Sequence, residues 1–247
     1  MEEKELNLID HLDELRSRLI KIVAAFIILF IVGFIYVEDV YAWMTSDLDV
    51  KLIVLGPSDI LWIYFMIATV VAIAGTIPVL AYQLWAFIKP ALKPNEVKVS
   101  LSYIPALFFL FIIGLCFGYF IIFPTIMSFL IELGGDMMVT NFTAEKYFRF
   151  IMTTTIPFGI LFELPVVLMF LTSLGIINPY VLQKIRKYAY FLLIVVAVVI
   201  SPPDVMSDFL VAVPLLFLYE ISVNLSKIVY KRKLKKQQKW EAEFEEA

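Results

Sequence analysis

Six apolar stretches divide the chain and constrain its fold more than any other feature of the sequence. A spanning helix needs roughly 20 apolar residues. The chain has 247 residues, of which 62% are apolar and 17% charged, whereas soluble domains are about 45–50% apolar and about 25% charged. A soluble fold of this length does not bury so much apolar surface. The sequence therefore predicts an all-α polytopic membrane protein with six transmembrane helices, over residues 22–37, 60–88, 101–123, 150–177, 188–200 and 205–229.

Charged segments flank these stretches at both ends of the chain. Apolar residues recur at helical spacing near the N-terminus, at Leu8, Ile9, Leu12, Leu15 and Leu19. This spacing predicts an amphipathic helix that leads into the first span. No Gly/Ser-rich linker and no convincing repeat interrupts the chain. The simplest organisation is a single six-helix membrane domain over residues 1–230, followed by a charged tail over residues 231–247.

The distribution of charge predicts the orientation of the spans. If both termini lie inside, the inner segments hold 17 of the 20 basic residues, and the outer loops hold three basic and nine acidic residues. Basic residues accumulate in cytoplasmic loops. The sequence therefore predicts that both termini are cytoplasmic.

The fifth apolar stretch is short for a membrane span. Its 13 residues, Tyr188 to Ile200, cover about 20 Å at 1.5 Å per residue, whereas the hydrocarbon core is about 30 Å thick. Two explanations are open. Either the helix continues into polar neighbours such as Lys187, whose side chain reaches the interface, or the bilayer thins locally.

Two carboxyl groups lie inside predicted spans. Glu163 lies between Pro157 and Pro165, and a charge at mid-membrane costs about 2.5–3.5 kcal/mol. We therefore expect Glu163 either to face a wet cavity or to be a neutral acid, and intramembrane carboxyl groups are functional candidates by default. Glu220 lies nearer the inner interface, where we expect it to pair with a basic residue or a helix N-terminus.

The residue types of metal and catalytic sites are scarce. The chain has one cysteine, Cys116, and one histidine, His11, which argues against a disulfide scaffold and a histidine-built metal site. The sequence contains neither HExxH nor GxxxxGK[ST]. We therefore expect no enzymatic activity, no cofactor, no metal and no nucleic-acid partner, with energy supplied by the membrane potential or by a partner.

Five motifs follow one another along the chain: HLDELRSRL over residues 11–19, YQLWAFIKPAL over 82–92 with Glu96 after it, FELP over 162–165, SPPDV over 201–205 and LYEIS over 218–222. In this order they resemble TatC, the large membrane subunit of the twin-arginine protein translocase. The resemblance covers nearly the whole chain. The Gly56-Pro57-Ser58 loop and the short basic tail resemble most the minimal systems of Gram-positive bacteria.

The resemblance implies a fold, a location and a function. It implies six helices in a cupped, glove-like arrangement in the bacterial cytoplasmic membrane. It implies a receptor subunit that binds the twin-arginine signal peptides of folded cargo proteins. Such a subunit recruits TatA-type single-span subunits, with or without TatB-type ones, forms homo-oligomers within the complex, and works with the protonmotive force.

Site residues follow from the topology and the resemblance together. Two guanidinium groups need fixed carboxylate acceptors, and the cytoplasmic acids near the membrane are Asp10, Asp13, Glu14 and Glu96. The resemblance selects Glu14 and Glu96, with Phe87 as an apolar wall and Arg16 holding the site in shape. One departure is that Val97 follows Glu96, where the family often has a basic residue.

The resemblance also implies roles within and beyond the membrane. It places Glu163 and Glu220 in intramembrane motifs of the family, where partner helices enter, and it places Asp204 in the last outer loop. We expect Glu163 to assist entry of a signal or partner helix, and Asp204 to affect a step after signal binding.

Two other functions stay open at this point. The first is an ion-coupled secondary transporter with Glu163 as its ion site, and the second is an intramembrane enzyme. Transporters often carry repeats with matched broken helices, but the prolines at 78, 157, 165 and 214 show no matched halves. No nucleophile–base or metal pair supports an enzyme. The translocase subunit is therefore the favoured interpretation.

Overall fold

The computed structural model describes residues 2–46, 52–91, 97, 100–135, 142–202 and 204–245, and these ranges are almost entirely helical. A 3-10 turn covers Lys89–Ala91, and a π-helical turn over Gly118–Ile122 joins α4 to α5. The helices are α1 (Glu2–Ile35), α2 (Val37–Thr45), α3 (Pro57–Ile88), α4 (Tyr103–Phe117), α5 (Phe123–Gly134), α6 (Ala144–Leu161), α7 (Leu164–Leu174), α8 (Pro179–Lys184), α9 (Arg186–Ile200) and α10 (Val205–Glu245).

Within the described residues, five helical segments are long and apolar enough to cross a membrane. They are Asp13–Ile35, Pro57–Ile88, Tyr103–Gly134, Ala144–Leu174 and Val205–Lys235. The remaining predicted span, the fifth along the chain, is α9, which has 15 residues and a length of about 22 Å. It begins in the polar residues Arg186 and Lys187, as one of the two explanations for its length expects. The predicted class, an all-α polytopic membrane protein, is confirmed.

The predicted amphipathic helix and the first span form one continuous helix. No glycine or proline occurs between residues 2 and 32, so nothing in the local sequence ends α1 before Ile35. Prolines inside later helices also leave them unbroken, at Pro78 in α3 and Pro214 in α10. Neighbouring helices can satisfy the backbone carbonyl that such a proline frees.

The chain divides into two compact units. The first comprises Met1–Leu92 and Leu130–Thr153, and in it α1 packs antiparallel along α3. Close approach is possible because Gly33 faces Val71 and Gly75 faces Leu29, where an added Cβ would lie 3.0–3.2 Å from the facing side chain. The connections after α2 and α5 also pair, through a hydrogen bond of 2.8 Å from the Ala144 amide to the Ile53 carbonyl.

The second unit comprises Lys93–Phe129 and Thr154–Ala247. Its helix α10 packs against α7, α8 and α9, and Phe111, Phe158 and Leu215 are among its fully buried side chains. The predictions of one membrane domain over residues 1–230 and of a glove-like shape stay predictions.

Candidate functional sites

Glu14 and Arg18 form an ion pair on α1, in the first unit. Both Nε and Nη2 of Arg18 donate to Glu14 Oε1, at 3.1 and 2.5 Å. The Arg18 side chain is 18% exposed and that of Glu14 38%. The four-residue spacing on one helix face permits this pair, but the spacing alone does not show how deeply the guanidinium is packed.

Arg18 also joins α1 to the last turns of α3. Its Nη1 donates to Gln83 Oε1 at 3.4 Å, and its Nη2 donates to the Ala86 carbonyl at 3.2 Å. Phe87 follows Ala86 and is half-buried. The structure therefore brings two predicted site residues, Glu14 and Phe87, to one end of the α1–α3 pair.

The four-residue spacing of Glu14 and Arg18 is visible in the sequence, but the contacts that Arg18 makes with α3 are not. Arg18 contributes side-chain contacts that join α1 to α3 at this end, while the side chain of Arg16 is exposed. Glu96 lies outside the described residues. The roles of Arg16 and Glu96 stay predictions.

Glu163 lies at the junction between α6 and α7, in the second unit. The turn is tight: the Glu163 amide donates to the Ile160 carbonyl at 3.1 Å, and the Glu163 carbonyl accepts from the Val167 amide at 2.9 Å. Pro165 follows at the second position of α7, where its missing N–H costs little. Glu163 Oε1 is buried and has no hydrogen-bond partner among the described residues. Such an oxygen favours a donor from another molecule.

A close helix crossing lies beside Glu163. A Cβ added to Gly114 of α4 would lie 2.5 Å from the Phe158 carbonyl oxygen and 2.9 Å from Phe162 Cβ. A Cβ added to Gly118 would lie 2.9 Å from Thr155 Cα. Two glycines four residues apart permit this approach of backbones in a membrane. The crossing therefore fixes the segment of α6 that leads into Glu163.

Glu220 pairs with a basic residue, as predicted. Arg186 Nη2 donates to Glu220 Oε2 at 2.7 Å, and the Tyr190 hydroxyl donates to Glu220 Oε1. The Tyr219 hydroxyl donates to the Leu182 carbonyl at 2.8 Å. These bonds attach α8 and α9 to α10.

Asp204 caps the N-terminus of α10. Its Oδ1 accepts from the Ser207 amide at 2.7 Å, the geometry of an N-cap residue. Its Oδ2 is buried without a partner among the described residues. Asp208, one turn later, accepts from the Ser201 hydroxyl. The cap is a structural role that sequence reasoning missed, although an aspartate before a helix is its usual signal.

Metal-binding side chains do not converge in the part of the chain that the structure describes. No three His, Cys, Asp or Glu residues there come close enough to hold an ion.

Known proteins resemble the chain over most of its length. Residues 10–214 match the family model of the Sec-independent protein translocase protein TatC. The translocase protein TatCd of Bacillus subtilis (strain 168) is 55% identical over 237 residues, which are 96% of this chain and 98% of that protein. TatC of Halalkalibacterium halodurans is 42% identical over 243 residues, 97% of this chain and 96% of the relative.

A solved structure is also similar. A crystal structure of the twin arginine translocase receptor TatC is 36% identical, with a TM-score of 0.77, over 89% of this chain and 99% of that one. A second crystal structure of that receptor, in DDM, has a TM-score of 0.78. The similarity thus extends from local motifs to the six-helix fold.

Proposed function

The chain belongs to the TatC family of Sec-independent protein translocase proteins, and we propose that it is the receptor that binds twin-arginine signal peptides. As a family member it is a multi-pass subunit of a protein translocase in the bacterial plasma membrane, in a complex with other Tat components. The proposal adds the ligand, the residues that bind it and the partners recruited afterwards.

The observation that carries the proposal is the acceptor cluster at the end of the α1–α3 pair. Glu14 Oε1, Gln83 Oε1 and the Ala86 carbonyl all accept from one guanidinium there. A cluster of acceptors that bonds one guanidinium at several nitrogens has the chemistry that binding of signal-peptide arginines requires. Hydrogen bonds to charged groups are worth about 1.5–3 kcal/mol, whereas fully exposed pairs are worth about 0–1 kcal/mol. Partial shielding of Glu14 favours the stronger case.

Three further residues complete the proposed site. Glu96 enters from the sequence as the second carboxylate, so that each arginine has an acceptor. Phe87 supplies an apolar wall next to the acceptors. Arg16, which is exposed on α1, is proposed to hold the site in shape rather than to contact the peptide arginines.

We propose that both termini are cytoplasmic, which puts this site on the side where cargo arrives. The charge census supports this orientation. The antiparallel packing of α1 on α3 fits this alternation, because Arg18, near the start of the first span, contacts Gln83 and Ala86 near the end of α3. The test is impermeant thiol labelling of Lys235→Cys and Leu55→Cys on a Cys116→Ala background. Labelling from outside only at position 55 is expected; outside labelling at position 235 contradicts the orientation.

We further propose that the chain recruits TatA-type single-span subunits, with or without TatB-type ones, and works as a homo-oligomer driven by the protonmotive force. Glu163 is the proposed contact with an incoming helix, because its buried oxygen has no partner among the described residues. Interhelical hydrogen bonds in membranes are worth about 1–2 kcal/mol in model peptides. Glu220 and Asp204 support this step by holding α9 and α10 in place.

The experiment for signal binding uses the full chain in membranes and a photo-crosslinking signal peptide with Arg-Arg, against a Lys-Lys control. Glu14→Gln is expected to weaken Arg-Arg binding more than tenfold, about 1.4 kcal/mol. The matched control is Asp13→Asn, an exposed acid on the same turn, which should leave binding unchanged. Equal capture of both peptides by the wild type contradicts the proposed function.

A further inference from the structure

Arg18 occupies the acceptor that the proposed function assigns to the cargo. Within the chain alone, two of its nitrogens bond to Glu14 Oε1 at 3.1 and 2.5 Å. The planar guanidinium and the carboxylate are the partners that an arginine of a signal peptide would also bring together. An incoming arginine therefore meets a carboxylate that already has an arginine on it.

Arg18 also has two acceptors on α3 that it can keep when it leaves Glu14. Its Nη1 and Nη2 contact Gln83 Oε1 and the Ala86 carbonyl at 3.4 and 3.2 Å. Loss of the Glu14 bonds therefore does not leave its charge without hydrogen-bond partners, which would be costly for a side chain that is 18% exposed. Exchange of one arginine for another on Glu14 conserves the number and type of bonds.

We propose that Arg18 is an internal competitor of the signal peptide: it occupies Glu14 in the free protein, and only a guanidinium displaces it effectively. This inference rests on the proposed function. A lysine ammonium is a point charge without the planar fork, so it cannot reproduce the paired bonds that Arg18 gives up. A Lys-Lys peptide therefore binds against an intact Glu14–Arg18 pair, whereas an Arg-Arg peptide replaces that pair with an equivalent one.

The test is the binding constant of Arg-Arg and Lys-Lys peptides for full-length Arg18→Gln in lipid nanodiscs. Removing the competitor should tighten Arg-Arg binding about tenfold, because only this peptide bears the cost of displacing Arg18, and Lys-Lys binding about threefold, so that the preference for arginine rises about threefold. A purely Coulombic effect of losing one cation strengthens both peptides equally. An unchanged ratio of the two constants, or weaker Arg-Arg binding, overturns the inference.

The chain supplies a matched control. Arg149 pairs with Glu145 at the same four-residue spacing on α6, away from the proposed site. Arg149→Gln removes the same charge and the same kind of bond, and it should leave both binding constants unchanged. A rise in the arginine preference in Arg149→Gln as large as in Arg18→Gln overturns the inference.

A second variant covers the case in which Arg18→Gln does not fold. Arg18→Lys keeps the charge and a donor for the Ala86 carbonyl but loses the fork. It should raise the arginine preference by an intermediate factor, about twofold; a preference at or below the wild-type value overturns the inference. Failure of the proposed function is recognised separately, because Glu14→Gln then binds Arg-Arg peptides with wild-type affinity.

Discussion

Glu14 and Glu163 are carboxylates of one chain in opposite situations. Glu14 is 38% exposed and accepts two hydrogen bonds from Arg18. Glu163 lies at a helix junction inside a predicted span, and its Oε1 is buried without a partner among the described residues. The first acceptor is therefore already satisfied by the chain, whereas the second has an oxygen that the described residues leave unsatisfied.

This difference separates two ways of preparing a binding site. At Glu14, a ligand must exchange with a resident group, so only a ligand that bonds to the carboxylate at least as well as Arg18 gains free energy there. At Glu163, a ligand supplies a bond that was missing, so the site gains free energy from any suitable donor. Selection is thus expected at Glu14 and helix recruitment at Glu163.

The largest effect is expected from Glu163→Ala. If Glu163 accepts a bond from an incoming helix, its loss should reduce transport more than tenfold while the amount of folded protein in the membrane changes less than twofold. Glu163→Gln keeps hydrogen-bonding capacity and should retain part of the activity. Vesicle transport assays, with Glu132→Ala at an exposed acid as the control, measure this. Normal transport by Glu163→Ala would contradict the proposed contact between Glu163 and an incoming helix.

Gly114→Ala should destabilise the support of Glu163. The added methyl group would lie 2.5 Å from the Phe158 carbonyl oxygen, and such overpacking costs about 1–3 kcal/mol. The free energy of unfolding in detergent should fall by that amount. Gly134→Ala is the control because nothing lies within 4 Å of its added Cβ. Equal stability of the two variants would show that the crossing does not constrain this region.

Asp204→Asn should distinguish the helix-capping role of Asp204 from its proposed role in a late step of transport. Asparagine caps helices about as well as aspartate, so the free energy of unfolding should stay within about 0.5 kcal/mol of the wild type. Export should nevertheless fall several-fold while signal-peptide capture is retained. Asp204→Ala, which also loses the cap, should cost about 1 kcal/mol of stability. Loss of signal capture in Asp204→Asn contradicts the proposed order of steps.

The smallest effect is expected from Glu220→Gln. The amide can still accept from Arg186 or Tyr190 but loses the charge, and both members of the ion pair are about one-third exposed. The stability loss should be about 0.5–1 kcal/mol, and signal-peptide affinity should not change. A tenfold loss of affinity would place Glu220 in the binding site and remove the contrast with Glu14.

The sequence predicted the helices well because their signals are strong and local. Long apolar runs predicted five of the spans, and Ser201-Pro202-Pro203 predicted the end of α9 at Ile200. The family prediction is confirmed by matches over nearly the whole chain. The continuous α1 agrees with the prediction of an amphipathic helix that leads directly into the first span, because no breaker separates its polar and apolar halves.

The candidate sites were less predictable because they depend on contacts distant in sequence. The Glu14–Arg18 spacing is visible in the motif, but Arg18 contacts Gln83 and Ala86, which lie 65 and 68 positions away. The close approach at Gly114 depends on which helix lies opposite, and the sequence does not specify that. Arg186 and Glu220 are 34 positions apart, so a partner of the right sign was predictable but its identity was not.

The most direct test of arginine recognition is a double-mutant cycle between Glu14 and each peptide arginine. Binding is measured for wild type and Glu14→Gln with peptides in which either arginine is replaced by lysine. If Glu14 receives a guanidinium, one of the two arginines should couple to it by about 1.4 kcal/mol or more, a tenfold effect. Additivity within about 0.5 kcal/mol for both arginines would show that Glu14 does not contact the twin-arginine pair.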